Sequence, residues 1–166
     1  MIVVDCHQKK LFNYYTGSVY PVKLSKYGFS CLENSLMTPC GNHAIDACIG
    51  DGQLAGTLFR SREPIGPWDS SIKKGVITSR IIRLRGLDRG LNLGHDSQGR
   101  CVDTFDRYVY IHGVPEALYN LNDYGSEGCI ILEDVKMIEL FNEIRHLKTL
   151  SSEIHLLITW PQVVNQ

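Results

Sequence analysis

No stretch of this 166-residue chain is apolar for long enough to cross a membrane. Its uninterrupted apolar runs, such as Leu156 to Ile158, last only a few residues, whereas a spanning helix needs about 20. An excess of charge of one sign is also missing, with 17 Lys and Arg against 18 Asp and Glu for a formal net charge of −1. The densest basic group, Arg80, Arg83, Arg85 and Arg89, is followed by Asp96, Asp103 and Asp106. It therefore makes no basic face for a nucleic acid. The amino terminus lacks the basic-then-apolar order of a secretory signal, because Ile2, Val3 and Val4 precede Lys9 and Lys10. The expectation is a chain that stays inside, leaves by another route, or has been trimmed.

The six cysteines contain no CxxC pair and the six histidines no HxxxH spacing, so neither a structural zinc nor a metal centre is expected. Free thiols are expected too, since the spacing does not resemble a small disulfide scaffold and the chain is large enough to bury a core without staples. Internal repeats and low-complexity tracts are absent as well. At 43% apolar and 21% charged residues the composition is that of one folded domain, here taken to span residues 1–166.

Glycine and proline cut the chain into short pieces. Ile2 to Asp5, Leu11 to Tyr15 and Val19 to Ser25 read as an antiparallel meander with a turn at Thr16-Gly17. Thr38 to Gly41 reads as a turn into a strand at His43 to Ile49. From Gly50 to Lys74 the chain reads as an irregular loop with Trp68 as a hydrophobic plug. Val76 to Leu84 alternates as a strand whose arginines form a solvated face. Tyr108 to His112 is a strongly β-forming run that delivers a histidine to its own end. One amphipathic helix is expected from about Val135 to Leu147, with a last strand at Glu153 to Thr159. The pattern is mainly β, a sheet or sandwich with one or two helices late in the chain.

Most of the histidines and cysteines have ordinary explanations, as surface imidazoles or small buried hydrophobes. Gly125-Ser126-Glu127-Gly128-Cys129-Ile130 differs. Two glycines there let the backbone turn sharply and bring N–H groups near a substrate oxygen, as an oxyanion site beside a cysteine nucleophile requires. His112, upstream across a loop, is the candidate base. A Gly-Cys turn near a histidine also arises with no chemical role.

His112-Gly113 followed by Ser126-Glu127-Gly128-Cys129-Ile130 resembles the signature of the YkuD-type L,D-transpeptidases, in which a His-Gly pair precedes a Ser-His-Gly-Cys segment. Thr38-Pro39-Cys40-Gly41, Ser79-Arg80-Ile81, Leu84-Arg85-Gly86 and Asp103 ahead of Arg107 to Gly113 extend the likeness over roughly the whole chain. The resemblance implies an L,D-transpeptidase-like β-sandwich acting on peptidoglycan stem peptides in the cell envelope or periplasm, with no cofactor. It implies Cys129 as nucleophile, His112 as base steadied by the Gly113 carbonyl, and Ser126, Glu127 and Gly128 as the supporting loop. The reaction would release D-alanine, and an amine or water would resolve the acyl-enzyme. The alternatives are a hydrolytic relative, an L,D-carboxypeptidase that would act as a secreted cell-wall toxin if delivered to a neighbouring cell, and a member that binds peptidoglycan or a protein without turnover.

Two positions depart from the family pattern: Glu127 stands where His is usual, and Ile131 where Arg is usual. A carboxylate aimed at Cys129 would raise the thiol pKa, whereas one aimed outward is free to contact substrate amines. Arg80, Arg83 and Arg107 are the cations that could stand in for the missing one.

Overall fold

The structure, a computed structural model, describes residues 1–161. Its first three strands, β1 (Ile2–Asp5), β2 (Lys10–Asn13) and β3 (Ser18–Pro21), form the expected antiparallel meander. The turn before β3 closes through Gly17, whose φ of +82° suits a residue without Cβ. Then follow β4 (Gly41–Ile49), β5 (Thr57–Arg60), β6 (Glu63–Pro67), β7 (Thr78–Gly86), β8 (Tyr110–Val114), the short α1 (Glu116–Tyr119), β9 (Ile130–Glu133), α2 (Asp134–Leu150) and β10 (His155–Ile158). Hydrogen bonding joins the strands in the order β3-β2-β1-β10-β4-β7-β5-β6, and β8 and β9 branch from β7.

The sheet curls. Beyond β3, Lys23 and Ile131 exchange N–H···O bonds of 2.9 and 2.8 Å, which brings the end of the meander against β9. The meander and β9 are thus joined, and α2 packs into the core they share, in the mainly β, sandwich-like architecture expected. On α2, Met137, Leu140, Phe141 and Ile144 recur at helical spacing and are fully buried among Ile2, Val4, Leu84, Ile111 and Leu132. Glu133 caps the helix, accepting from the Val135 N–H.

Most strands pair antiparallel, but β1 with β10 and, at the site, β8 with β9 are parallel. Such a pair needs a crossover. Between β8 and β9 the segment carrying α1 supplies it and returns the chain so that Cys129 lies beside the strand that holds His112.

Four expectations need correction. The segment from Gly50 to Lys74 is not irregular throughout, because it holds the hairpin β5–β6. Pro64 and Gly66 disguise β6, and its place at the sheet edge is where proline is tolerated. Trp68 does plug this region, packed with Leu58, Val76 and Leu118 and donating from Nε1 to the Ile72 carbonyl at 2.9 Å. Of the three β7 arginines only Arg85, paired with Glu153 at 2.6 Å, keeps to the expected solvated face. Arg80 is buried over the Phe141 ring and bonded to the Gln53 and Ser79 carbonyls, and Arg83 stacks on Phe105. Among the histidines read as surface groups, His43 is fully buried between the Gly41 carbonyl and the Thr104 hydroxyl. His112 lies in the middle of β8, not at a strand end. All six cysteines are free thiols.

Candidate active site

β8 and β9 pair in the register Ile111 with Ile130 and His112 with Ile131. Side chains alternate across a strand, so Ile111, Ile130 and Leu132 enter the main core while Tyr110, His112, Cys129 and Ile131 share the opposite face. Cys129, just before β9, therefore lies on the same face as His112, two positions before its ladder partner Ile131. Both residues line one open cavity of about 450 Å³.

The imidazole is almost wholly buried, at 4% exposure, and its Nδ1 lies 3.0 Å from the Gly113 carbonyl. A carbonyl can only accept, so Nδ1 carries the proton and Nε2 keeps its lone pair. Burial pushes the His112 pKa down to about 4, against the opposing effect of the Gly113 carbonyl.

Cys129 is only partly buried. Its Sγ receives the Tyr110 N–H at 3.4 Å and donates to the Tyr108 carbonyl at 3.8 Å. Tyr108 aims that carbonyl by adopting a left-handed φ of +55°. Desolvation pushes the thiol up to about 11, and the Tyr110 N–H and the charge of Arg107 pull the other way. Near pH 7 the site therefore holds a neutral thiol and a neutral imidazole. Neither tyrosine group is legible in the sequence, since both act through the backbone.

The loop before Cys129 is held from within. The Ser126 hydroxyl donates to the Cys129 carbonyl at 2.5 Å and accepts the Gly128 N–H at 3.2 Å. Gly128 has a φ of +123°, and a Cβ there would lie 3.2 Å from the Met37 carbonyl, so this position suits glycine alone. Its N–H, one of the groups the sequence offers to a substrate oxygen, is instead held by Ser126. Glu127 is exposed at the cavity and is not among the groups that raise the Cys129 pKa. Of its two possible orientations, the structure takes the outward one.

Ile131, where the family usually has arginine, is buried between β8 and Lys23. Of the three candidate replacements, Arg107 is the one beside the loop. It donates to the Ser30 and Met37 carbonyls at 3.0 and 2.7 Å, and its Nη2 lies 3.9 Å from where a Cβ on Gly128 would sit. It braces the segment packed behind Gly128 and places a positive charge near the thiol.

Around the cavity stand Lys26, Lys73, Lys74, Asp123 and Tyr124, which sequence reasoning did not single out. They come from three segments far apart in the chain, and only the fold gathers them. No group of three or more His, Cys, Asp or Glu able to hold a metal occurs among the described residues.

A mainly β fold in which a histidine on one strand and a cysteine just before the adjacent parallel strand line the same cavity defines a class of thiol-bearing domain. The YkuD profile, that of the L,D-transpeptidase catalytic domain, matches residues 1–150, and the chain belongs to that family. No curated protein matches it. Among solved structures it is similar to an L,D-transpeptidase from Mycobacterium smegmatis, at 16% identity and a TM-score of 0.51 over 95% of this chain and 57% of that one. It is also similar to the helical cell shape determining protein Pgp2 from Campylobacter jejuni, at 12% identity and a TM-score of 0.55 over 97% of this chain and 47% of that one. The chain spans about half the length of these two proteins, and likeness at such identities speaks for the fold.

Proposed function

We propose that this chain is a single catalytic domain that performs cysteine-dependent acyl transfer on peptidoglycan stem tetrapeptides in the cell envelope. The observation that carries the reading is that His112 and Cys129 line one open cavity from the same face of the sheet, with Nε2 of the imidazole free of hydrogen bonds among the described residues. As Sγ attacks the carbonyl carbon between the third residue and the terminal D-alanine, its proton passes to His112 Nε2. The C–N bond then breaks, the proton moves from His112 to the departing amine, and a thioester remains on Cys129. An acceptor amine from a second stem, or water, attacks that thioester, gives its proton to His112, and the thiol is restored when the C–S bond breaks.

The charges round the cavity suit such a substrate. Lys26, Lys73 and Lys74 are exposed, as are Asp123 and Glu127, and among the described residues none of the five enters an ion pair. A stem peptide offers carboxylates to the lysines and an ammonium group to the acids, with Glu127 standing next to the loop that carries the nucleophile.

Incubation with a disaccharide-tetrapeptide followed by mass spectrometry tests the reading. Loss of D-alanine with appearance of dimers or tripeptides is the expected result. The Cys129→Ala protein should be inert, and His112→Ala should be slowed by about 100-fold or more. Turnover retained in Cys129→Ala would remove the mechanism.

A further inference from the structure

His112 is held through the carbonyl of Gly113, and what fixes that peptide is itself unusual. β8 pairs with β7 through Gly113 with Thr78 and His112 with Ile81, so the register slips between these pairs and β7 bulges opposite the histidine. Within the bulge, Ser79 is fully buried with a φ of +62°, a left-handed conformation that non-glycine residues rarely adopt. A conformation of this kind persists only where its surroundings over-determine it, and such residues cluster at functional sites.

The surroundings here can be named. The Ser79 hydroxyl accepts the Gly56 N–H at 2.8 Å, and its carbonyl accepts from Arg80 Nη1 at 2.6 Å. The neighbouring Thr78 hydroxyl donates to Asp134 Oδ1 at 2.6 Å. Asp134 opens α2, where a carboxylate ordinarily faces solvent, yet it is turned inward at 8% exposure. It reaches under Gly113 so closely that a Cβ there would lie 2.5 Å from Asp134 Oδ1 and 2.7 Å from the Thr78 carbonyl. The glycine of the His-Gly pair is thus required by the carboxylate beneath it.

Building on the function proposed above, we infer that Asp134 is a positioning residue for His112. By accepting the Thr78 hydroxyl it locks the bulge of β7 against the Gly113 peptide, and the carbonyl of that peptide holds the imidazole with Nδ1 protonated and Nε2 free. Asp134 neither lines the cavity nor bonds to Cys129. It acts through two backbone segments, and the property it supplies is a hydrogen-bond acceptor at a fixed place.

The test uses Asp134→Ala and Asp134→Asn with two readouts. On the disaccharide-tetrapeptide, Asp134→Ala should lower kcat by about 10- to 100-fold, with KM within about twofold, as misplacing a reacting group does. Asp134→Asn, which keeps an acceptor oxygen, should recover at least about a third of the wild-type kcat. Independently of turnover, nitrogen-15 spectra of the histidine side chains should show His112 as the Nδ1–H tautomer in the wild type and Asp134→Asn, and as a tautomer mixture in Asp134→Ala. A folded Asp134→Ala protein with wild-type kcat and an unchanged tautomer would overturn the inference, as would an Asp134→Asn protein no better than Asp134→Ala. Should Asp134→Ala not fold, Thr78→Val removes only the donor hydroxyl and must move both readouts the same way. A wild-type protein without turnover would refute the proposed activity, and the tautomer comparison would still decide the role of Asp134.

Discussion

At the scale of the residue, Cys129 and His112 rest as a neutral pair because both are desolvated. Burial raises the thiol to about 11 and lowers the imidazole to about 4, so both shifts move the site further from a thiolate–imidazolium ion pair. Two consequences can be measured by following the alkylation of Cys129 by mass spectrometry and turnover against pH. Alkylation should rise about tenfold per pH unit from 7 to 10, because the thiolate fraction grows that way below the thiol pKa. A plateau below pH 8 would mean an ionised thiol instead. Turnover should hold steady as pH falls from 7 to 5 and decline only near 4, since protonation of His112 removes the base. The outward-facing Glu127 leaves this balance untouched, unlike an acid turned toward the sulfur.

At the scale of the element, α2 does more than contribute to the core. Its apolar side holds the core, its first residue reaches under β8, and Glu143 on its polar side gathers the β2–β3 hairpin. The Glu143 carboxylate accepts from Asn13 at 2.8 Å, Thr16 at 3.0 Å, Ser18 at 2.5 Å and Tyr20 at 2.9 Å. These hydrogen bonds hold the Glu143 pKa down in spite of burial, while burial and then the bond to Glu143 push that of Tyr20 up to about 12. Glu143→Ala would leave the buried Asn13 amide without this acceptor and should destabilise the fold by about 1–3 kcal/mol, read as a lower midpoint in urea unfolding. The hairpin lies away from the cavity, so turnover by the folded protein should be kept.

At the scale of the whole molecule, two buried histidines govern behaviour in acid. His43 and His112 both have pKa values pushed down to about 4 by burial, whereas in the unfolded chain they titrate near the ordinary value of about 6.5. Between those values the unfolded state binds more protons than the folded one, so stability must fall as pH drops through that window. Each histidine should remove roughly 3 kcal/mol by the time pH reaches about 4. Asp134, raised by burial, works in the opposite direction, but only as its own carboxyl begins to take up a proton. Thermal unfolding midpoints measured from pH 7 to 4 should fall across the range, and His43→Gln should flatten the decline without touching the cavity. A midpoint constant from 7 to 4 would mean that neither histidine is buried as described.

Local pattern determined a good deal of this protein. β-Forming residues marked β1, a Pro-Gly turn led into β4, alternation marked β7 and β10, helical spacing marked α2, and the glycine-bracketed Cys129 with His112 marked the candidate site. All of these follow from neighbours in sequence, where side-chain direction is set by the backbone repeat alone. What the tertiary structure decided involves partners distant along the chain. The β5–β6 hairpin stayed hidden because Pro64 and Gly66 are acceptable only at an edge that pairing defines. Arg80 and His43 looked like surface groups until packing enclosed them. Whether Glu127 faced the sulfur, and which arginine stood behind the loop, depended on how β8 and β9 register. The same is true of the neutral state of the Cys129 and His112 pair, since desolvation is a property of everything packed around a group, and of Asp134, whose reach to Thr78 and Gly113 exists only once α2 lies against the sheet.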